Sequence, residues 1–585
     1  MPDDELPYFS PRHPGRPRRS GNGWIIGMAA TAIAITLVLV IGVRAVLVRA
    51  LCEQGPVRLH VAASLDIAPA VQQIGKYFND LNRDVGGHCA QVEVTEDAPG
   101  RVAAELSGMG TITGESPIDA WVPDSSLWLN VVRNSARGAA AARPTGVSVA
   151  RSPLVITAPR SIAGVVGRSS THIGWRTLFP QSLGGPSASL HLQVQLPDPA
   201  HNAAGLASLV EVRRLLGGQP AARDEFTNFV HNVRPSASFD DPQALSVLST
   251  LAEPPWLARP VTVTSEQAVE AYNKSTPGRP LIAYYPAQEY DLDFPFALAT
   301  SSSLKIQAAQ LFEQVLRSSF ASGAVRGDGF RSANGQTDTA GSQFGIVGDP
   351  QPAVALAAPG EASTALQAWN RLSLGSRDLV LDDISGAMTQ PLGLSGQTRF
   401  EVLQAAAIVG LSLFPDSTQM GVWEYSYQMN GSLPYRMLVP VGPLPAQLGL
   451  ITRRQQLLEV SNVLAAQPGA PAAMYESVLA AFRWMTANYQ PGHVNAVIVL
   501  GSGTNTARGG MSLSQLLARL RADYDPRRPV EIIMVTAGTD ADQAALREIT
   551  AISHGASYTV EQPSDIANVF FDALARRICE PNCGR

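Results

Sequence analysis

The sequence contains few charged and few aromatic residues, and neither sign of charge dominates. Charged residues make up 16% of the 585 positions and aromatic residues 6%, and 44 basic side chains are balanced by 49 acidic ones to give a net charge of -5. A chain without an excess of basic residues lacks the electrostatic footprint of nucleic-acid binding. We therefore expect no nucleic-acid partner.

Sequence signatures of catalysis are missing as well. The chain contains no nucleophile elbow, no P-loop, no H-E-x-x-H sequence and no cysteine–histidine arrangement typical of catalysis; His88 is a lone neighbour of Cys89. Scattered serine and aspartate residues more often cap helices than act in catalysis. We therefore expect that the protein is not an enzyme.

The four cysteines fall into two groups that are far apart in the sequence. Cys52 and Cys89 flank the first predicted strand and helix, and Cys579 and Cys583 lie in "CEPNC" near the C-terminus. An even number of cysteines in two local groups is typical of disulfides formed outside the cell, and no histidine stands beside "CEPNC" to complete a zinc site. We predict the pairs Cys52–Cys89 and Cys579–Cys583, with four unpaired thiols as the alternative.

Long apolar runs without charge are also scarce, and the most prominent one extends from Trp24 to Val43. A helix of this length crosses a hydrocarbon layer of about 30 Å. We therefore predict a single-pass protein of the cell membrane, with residues 1–23 as a cytoplasmic tail and residues 24–48 as the transmembrane helix and membrane-proximal segment. The later domains are then extracellular, an orientation that the dense arginine cluster before the run favours. A cleaved signal peptide is the alternative, although its apolar region would be shorter.

After this run, strands and helices alternate. The chain is too long for one hydrophobic core, so two or three folded units are expected. "VRLHVAASLDIAPAVQQIGKYFND" combines a run of β-forming residues with a helical spacing of Ile67, Val71, Ile74 and Phe78, and two further strand and helix units follow it. The alternation predicts an α/β fold with a parallel sheet and a ligand crevice beyond the carboxyl ends of its strands.

Four segments then occur in an order that resembles the type 2 periplasmic solute-binding proteins. They are "VAASLDIAPAV", "WVPDSSLW", "SPLVITAP" and "LIAYYPAQEYDLDFPFAL", and the first is similar to the first turn of the molybdate-binding branch. The resemblance covers residues 57–332. It implies a two-lobed domain whose chain enters the second lobe near Ser152 and returns near Pro280, with a small solute in the cleft between the lobes.

Five polar residues are candidate ligand contacts in this cleft. Ser64, Ser125 and Ser126 lie in predicted strand-to-helix turns, where backbone N–H groups and a helix N-terminus favour an anion, and Asn202 and Tyr285 are added as further candidates. Helix capping is the alternative role of each serine. Acidic residues in "TEDAPGR" stand where the oxyanion-binding relatives carry hydroxyls, which argues against an oxyanion as the solute.

Residues 333–374 are rich in Gly, Pro, Ala and Ser and show no sustained periodicity. Such a composition is typical of a linker, so we predict a domain boundary here. Within it, "ALQAWNRLS" is a helix candidate that the sequence assigns to neither neighbouring domain.

The last part of the chain again alternates between strands and helices. The strand candidates are "DLVLD", "QMGVWEYSY", "RMLVPVGP", "NAVIVLGS", "VEIIMVTAG" and "ASYTV", and they are separated by helices such as Arg399 to Leu413 and Met474 to Asn488. This order predicts a doubly wound, Rossmann-like sheet. Residues 376–578 resemble a von Willebrand factor A domain, and residues 579–585 form a C-terminal tail with the cysteine pair.

The resemblance implies a divalent cation at the loop "DDISGAM", which Asp383 and Ser385 match. Ala387, Ala472 and Ser502 stand where the family supplies a serine, a threonine and a second aspartate. Since a hard cation needs several oxygen ligands, we interpret Asp383, Ser385 and Ser502 as a vestigial, degenerate metal-ion-dependent adhesion site and expect no cofactor. Mg²⁺ or Mn²⁺ at this loop is the alternative.

These observations lead to two hypotheses about function. The first is a membrane-anchored extracellular binding or interaction protein, which combines a solute-binding-like module with a von Willebrand factor A domain that engages another protein. The alternative is the solute-receptor component of a transport system for a small molecule or oxyanion.

Overall fold

The structure is a computed structural model, and it describes the following residues: 55–108, 117–135, 137–166, 174–178, 192–217, 222–233, 248, 251, 259–287, 290–338, 341–350, 358, 360–392, 396–538, 541–566, 568–570 and 572–573. The predicted tail and membrane span at residues 1–48 lie outside this set. So do Cys52, Cys579 and Cys583.

Strands and helices alternate over most of the described chain, which confirms the predicted α/β class. The strands are β1 (Pro56–Ala63), β2 (Asp84–Val85), β3 (His88–Glu96), β4 (Ala120–Val122), β5 (Arg143–Ser148), β6 (Ala150–Pro159), β7 (Gln193–Gln195), β8 (Pro260–Ser265), β9 (Leu281–Tyr284), β10 (Asp291–Leu292), β11 (Pro295–Leu298), β12 (Arg331–Ser332), β13 (Ile346–Val347), β14 (Gly375–Asp383), β15 (Gln419–Asn430), β16 (Leu433–Pro443), β17 (Gln447–Leu448), β18 (Ile451–Thr452), β19 (His493–Gly501), β20 (Val530–Ala537) and β21 (Ala556–Val560).

The α-helices follow the same chain order. They are α1 (Ala68–Asp80), α2 (Pro99–Leu106), α3 (Ser126–Arg133), α4 (Gly138–Ala141), α5 (Arg160–Val166), α6 (Ala203–Leu216), α7 (Ala222–Val233), α8 (Glu266–Ser275), α9 (Ser303–Leu316), α10 (Ser319–Gly327), α11 (Glu361–Ser373), α12 (Arg399–Leu413), α13 (Arg453–Val463), α14 (Met474–Ala487), α15 (Leu513–Asp523) and α16 (Gln543–Ile552).

The first lobe is built on a six-stranded sheet with the order β2-β3-β1-β4-β11-β5. Strands β3, β1 and β4 are parallel, and β11 joins them antiparallel. The predicted apolar face of α1 is buried, because Val71, Ile74 and Phe78 recur at helical spacing and pack into the core. Because β1 and β4 are parallel neighbours, their carboxyl ends lie side by side at one edge of this sheet.

The second lobe is built on a sheet with the order β13-β9-β6-β8-β7, to which β10 and β12 add through β6. The chain enters this sheet at Ala150, close to the expected crossing near Ser152. It returns to the first sheet with β11 at Pro295 rather than near Pro280. The reason is that β9, which follows Pro280 directly, still pairs with β6 in the second sheet.

Part of the predicted linker is folded. Helix α11 buries Ala362, Ala365, Ala368, Trp369 and Leu372, a spacing that places these side chains on one helical face. They join the core of the two-lobed module, where α11 packs against α3 and α6. The sequence alone indicates a linker because the Gly, Pro, Ala and Ser residues of the surrounding segment outweigh this short amphipathic pattern.

The C-terminal domain contains a six-stranded sheet with the order β16-β15-β14-β19-β20-β21, in which only the β15–β16 pair is antiparallel among the described strands. Alternate residues of β14 face opposite sides, with Leu379 and Leu381 in one core and Val380 in the other. Helices α14 to α16 cover the first face, and α12 and α13 cover the second. Each strand segment predicted for this domain is present.

The predicted localisation needs correction. No helix in the part of the chain that the structure describes is both long and apolar enough to cross a membrane. The finding contradicts the prediction of a single-pass membrane protein.

Candidate functional site

The two lobes meet at the carboxyl ends of their strands. Asp124 follows β4 of the first lobe, and its Oδ2 accepts a hydrogen bond of 2.8 Å from the backbone N–H of Ala203, the first residue of α6 in the second lobe. Both residues are buried, with Asp124 2% exposed. The contact places the carboxylate of one lobe at the positive N-terminal end of a helix of the other, where negative charge is favoured.

A backbone contact between the lobes lies next to this hydrogen bond. A Cβ atom at Gly100, in the first turn of α2, would lie 1.8 Å from the carbonyl oxygen of Ala200 in the loop before α6. Only glycine permits such a close approach of two backbones. The lobes are therefore closed against each other around the ends of β1, β3 and β4.

Two of the predicted ligand contacts cap helices at this closure. The Oγ of Ser125 accepts a hydrogen bond of 3.2 Å from the N–H of Leu127 at the start of α3, and the Oδ1 of Asn202 accepts one of 2.8 Å from the N–H of Ala204 at the start of α6. These bonds correspond to the capping role that the sequence left as the alternative. A ligand contact by either residue stays a prediction.

Ser126 meets a second carboxylate. Its backbone N–H donates a hydrogen bond of 2.7 Å to Oδ1 of Asp293, which lies between β10 and β11. The N-termini of α3 and α6 thus hold Asp293 and Asp124, respectively. The sequence analysis did not name either aspartate as a candidate. The signal was present, because Asp124 in "VPDSS" directly precedes the serine turn and Asp293 in "YDLDF" lies in a segment that carries the family resemblance.

The acidic groups at the closure have perturbed acidities. Burial raises the pKa of Asp124 to about 7; the N–H of Ala203 lowers it, and the charge of Asp66 raises it further. Burial also raises the pKa of Asp66 to about 6. Burial raises the pKa of Asp198, in the loop before α6, while the N–H of Ala200 and the charge of His201 lower it. Neutral pH is therefore close to the titration range of this site.

Some acceptors at the closure have no hydrogen bond. Ser64 is 2% exposed, and its carbonyl oxygen accepts bonds from Ile67 and Ala68 at the start of α1, but its Oγ has no partner among the described residues. The same holds for Oδ1 of Asp124; the indole of Trp128 lowers the pKa of this carboxyl but makes no hydrogen bond of normal geometry with it. Buried acceptors without a partner are costly and rare in folded proteins.

Tyr285 lies in a separate cluster of the second lobe. Its hydroxyl donates a hydrogen bond of 2.7 Å to Oε1 of Glu266, and Arg331 lies 2.7 Å from Oε2 of the same carboxylate. Burial and the charge of Glu266 raise the pKa of Tyr285 well above its usual range. The structure thus brings four of the five predicted ligand residues together and places Tyr285 elsewhere; its ligand role stays a prediction.

Cys89 is buried at the start of β3 and is disulfide-bonded. Its partner lies outside the described residues. The pairing with Cys52 therefore stays a prediction, as does the pair Cys579–Cys583.

A second candidate site lies at the carboxyl edge of the C-terminal sheet. Asp383 ends β14 and is 1% exposed. Its Oδ1 accepts a hydrogen bond of 2.9 Å from the N–H of Ser385, and its Oδ2 accepts bonds from the N–H and the Oγ of Ser502 at 3.1 and 2.9 Å. The three sequence-predicted residues of the vestigial metal site are therefore neighbours, and two of them bind the third directly.

The surroundings of Asp383 are tightly packed. A Cβ atom at Gly501 would lie 2.7 Å from Cβ of Asp383 and 2.8 Å from the hydroxyl oxygen of Tyr425. Burial and the charge of Asp383 raise the pKa of Tyr425. Ala472, at the expected threonine position, is fully buried, and its N–H donates to the hydroxyl of Thr506 at 2.8 Å.

Asp382 does not supply the missing ligand. It lies on the opposite face of β14, where it lines an apolar cavity of about 120 Å³ with residues of α12 such as Ala406 and Leu411. Burial raises the pKa of Asp382 to about 7, with smaller contributions from the charges of Glu424 and Asp383.

The residues at this loop do not fit a divalent cation of the kind that the resemblance implies, because both oxygens of Asp383 already accept hydrogen bonds and no second carboxylate stands at Ser502. Across the described ranges, no group of three or more His, Cys, Asp or Glu side chains is arranged to hold a metal ion. Whether the protein binds a cation stays a prediction.

Comparison with known families identifies the first folded part of the chain. Residues 59–331, just under half of the sequence, match the family described as bacterial extracellular solute-binding protein. This part is a solute-binding-protein-like module. The match supports a solute-binding role for it and confirms the resemblance at the level of the module, whereas the molybdate-binding branch is not confirmed.

A relative over most of the chain occurs in two strains of Mycobacterium tuberculosis. This uncharacterised protein is 22% identical over 532 residues, a match that covers 87% of the present chain and 75% of the relative. The similarity therefore extends across both parts of the molecule, but the relative carries no assigned function.

Solved structures with partial similarity include binding proteins and an A-type domain. The periplasmic binding protein AfuA from Actinobacillus pleuropneumoniae has 11% identity and a TM-score of 0.34, and covers 50% of this chain and 91% of its own. The sulfate-binding protein SubI from Mycobacterium tuberculosis has 14% identity and a TM-score of 0.32, with 47% and 87% covered. A von Willebrand factor type A protein from Catenulispora acidiphila has 18% identity and a TM-score of 0.27, with 35% and 43% covered. Scores this low carry no argument about function or fold.

Proposed function

We propose that the protein is an extracellular binding protein rather than an enzyme. In this proposal the two-lobed module encloses a small solute between its lobes, and the C-terminal domain is a von Willebrand factor A domain that engages another protein. The family match of residues 59–331 supports the first part. The strand order of the C-terminal sheet and the sequence resemblance of residues 376–578 support the second.

The contact between Asp124 and Ala203 carries the solute-binding part of the proposal. Ligands of open α/β sheets bind beyond the carboxyl ends of the strands, and here the strand ends of the first lobe face a helix N-terminus of the second. The buried acceptors of Ser64 and Asp124 that lack a hydrogen bond within the described chain lie at the same place. A solute that donates to them would complete the site and hold the lobes together.

The protein-binding part rests on a different site. The hydrogen bonds of Ser385 and Ser502 to Asp383 fix the conformation of the loop that follows β14. A rigid loop at the strand edge can present side chains to a partner, since binding residues are often carried on loops that a scaffold positions. Partner recognition then requires no Mg²⁺ or Mn²⁺.

A test of the solute-binding part is to purify the full chain under native conditions, denature it, and identify released small molecules by mass spectrometry. The proposal predicts one compound in near-stoichiometric amount, which is lost when Asp124 is replaced by Ala. Recovery of no compound, together with no thermal stabilisation by any member of a broad metabolite library, would contradict it.

The solute receptor of a transport system is a second candidate, and the family match favours it. The two candidates differ in the protein partner that they require. A transport receptor predicts that no protein other than a permease binds the chain, whether or not the Asp383 loop is intact. An interaction protein predicts a soluble or surface partner whose binding is lost with that loop.

A further inference from the structure

The backbone donors at the starts of α3 and α6 are already used within the chain. The first N–H groups of α3 donate to Asp293 and Ser125, and those of α6 donate to Asp124 and Asn202. Helix α2 begins with a proline, which has no N–H group to offer. At α3 and α6, the groups that would hold an oxyanion are therefore occupied by internal acceptors.

Two buried acceptors at the closure lack a hydrogen-bond partner among the described residues. Asp124 uses only Oδ2 for its contact with Ala203, and its Oδ1 and the Oγ of Ser64 have no partner in the described part of the chain. Asp66, two residues after Ser64, adds a second carboxyl group whose charge acts on Asp124. Oδ1 of Asp124 and Oγ of Ser64 thus lack a hydrogen-bond partner among the described residues, while the indole N–H of Trp128, which also lacks one there, lies near enough to lower the pKa of Asp124.

The described basic groups in the adjoining turns are engaged with other carboxylates. Arg101, in α2, pairs with Asp97 at the end of β3. His201 lies 3.9 Å from Oδ2 of Asp198. Neither of these two contacts includes Asp66 or Asp124.

We propose, on the basis of the solute-binding role proposed above, that the cleft recognises its solute through a cationic nitrogen, an ammonium or guanidinium group, which Asp124 and Asp66 bind together with the hydroxyl oxygen of Ser64. A buried carboxylate is stable when a positive charge pairs with it and all its acceptor positions are used. Asp124 then has two roles, because Oδ2 keeps the lobes closed while Oδ1 contacts the solute. A guanidinium or ammonium group offers several N–H donors to the three acceptors.

The test uses calorimetric titration of the full chain with probes of opposite charge. Putrescine and methylguanidinium are the cationic probes, and succinate and sulfate are the anionic ones. At about pH 8 both carboxyl groups are ionised, since this is above the pKa values of about 7 and about 6. We expect at least one cationic probe to bind and neither anion to bind.

Three variants locate the binding. Asp66→Asn is nearly isosteric and removes one charge, and Asp124→Asn removes the other while its amide oxygen can still accept from Ala203. Each is expected to weaken the binding of the cationic probe by roughly tenfold or more. Asp84→Asn alters an exposed carboxylate of the same module, at β2, and is expected to leave the affinity unchanged.

The outcomes separate this inference from the function on which it rests. If sulfate or succinate binds and the cationic probes do not, the module binds solutes but the inferred class is wrong. If neither charge class binds, the inferred cationic class is wrong, and the solute-binding role is contradicted as well only when the native extraction described above recovers no compound and no library member stabilises the chain. If a cationic probe binds Asp66→Asn and Asp124→Asn as strongly as it binds the unmodified chain, the binding is surface attraction and the inference is overturned.

Discussion

The two folded parts of the molecule each place a buried aspartate at the carboxyl ends of parallel strands, and they satisfy it in different ways. Asp383 accepts three hydrogen bonds from Ser385 and Ser502, which use both of its oxygens. Asp124 accepts one bond from Ala203, across the lobes, and keeps an oxygen without a partner among the described residues. An aspartate that is satisfied internally stabilises a loop, whereas one with unused acceptor capacity is suited to a ligand.

The largest expected effect comes from removing the satisfied aspartate. Asp383→Ala leaves the N–H groups of Ser385 and Ser502 buried without an acceptor, so we expect the C-terminal domain to lose roughly 3–5 kcal/mol of stability. Scanning calorimetry would measure the loss as a lower melting temperature of that domain. Asp416→Ala, at a 75% exposed side chain, is the control and should change little. A normal melting temperature for Asp383→Ala would show that the hydrogen bonds of this loop are not structural.

The next effect tests how tightly the same site is packed. Gly501→Ala would bring a methyl group within 3 Å of Asp383 and Tyr425, so we expect a loss of roughly 1–3 kcal/mol as the two side chains are displaced. Gly323→Ala, in α10, meets no heavy atom within 4 Å and should be neutral or slightly stabilising. Equal stability of the two variants would contradict the geometry at Asp383.

A smaller effect is expected at Asp124, and it depends on pH. Folding raises the pKa of this carboxyl from 3.8 to about 7, so between these values the unfolded chain has lost a proton that the folded protein keeps. Stability therefore falls as the pH rises from about 4 to about 7 and is level above that range. Asp124→Asn removes the titration.

The variant should accordingly flatten the pH profile of the two-lobed module and raise its stability at about pH 8 by roughly 1–2 kcal/mol, if no solute is bound. Melting temperatures measured between about pH 4 and pH 8 test this. A variant whose stability declines with pH as steeply as that of the parent would show that Asp124 is not the group that titrates.

The smallest effect is predicted for added cations. Mg²⁺ or Mn²⁺ at millimolar concentration should leave the melting temperature of the C-terminal domain unchanged, because Ser502 occupies the oxygen that a cation would share. The variant with Ala387→Ser, Ala472→Thr and Ser502→Asp should gain a response, since a ligand at a hundredfold excess over Kd adds about 2.7 kcal/mol. A cation-dependent rise in the unmodified chain, abolished by Asp383→Ala, would show that the loop still binds metal.

The sequence predicted the elements with strong local periodicity. Helix α12 has the bounds expected for it, from Arg399 to Leu413, and every strand of the C-terminal sheet occurs where a run of β-forming residues stands. The sequence does not assign helix α11 to a domain, because the helices that cover its apolar face, α3 and α6, are distant in the sequence. Local pattern thus predicts an element but not its neighbours.

The candidate site was predictable only in part for the same reason. Ser64, Ser125, Ser126 and Asn202 were found because they stand in recognisable strand-to-helix turns. The hydrogen bonds between these turns and the carboxylates join distant positions. Asp124 and Ala203 are 79 residues apart, and Ser126 and Asp293 are 167 residues apart. No helical or strand period connects such residues, so the internal occupation of both helix N-termini required the folded structure.

Native mass spectrometry of three proteins purified in parallel, the full chain and its Asp124→Asn and Asp383→Asn variants, tests the difference between the two aspartates most directly. The account predicts a bound small molecule on the unmodified chain and on the folded fraction of Asp383→Asn, and none on Asp124→Asn. Equal occupancy on the unmodified chain and Asp124→Asn, or a loss of the small molecule from folded Asp383→Asn, would contradict it.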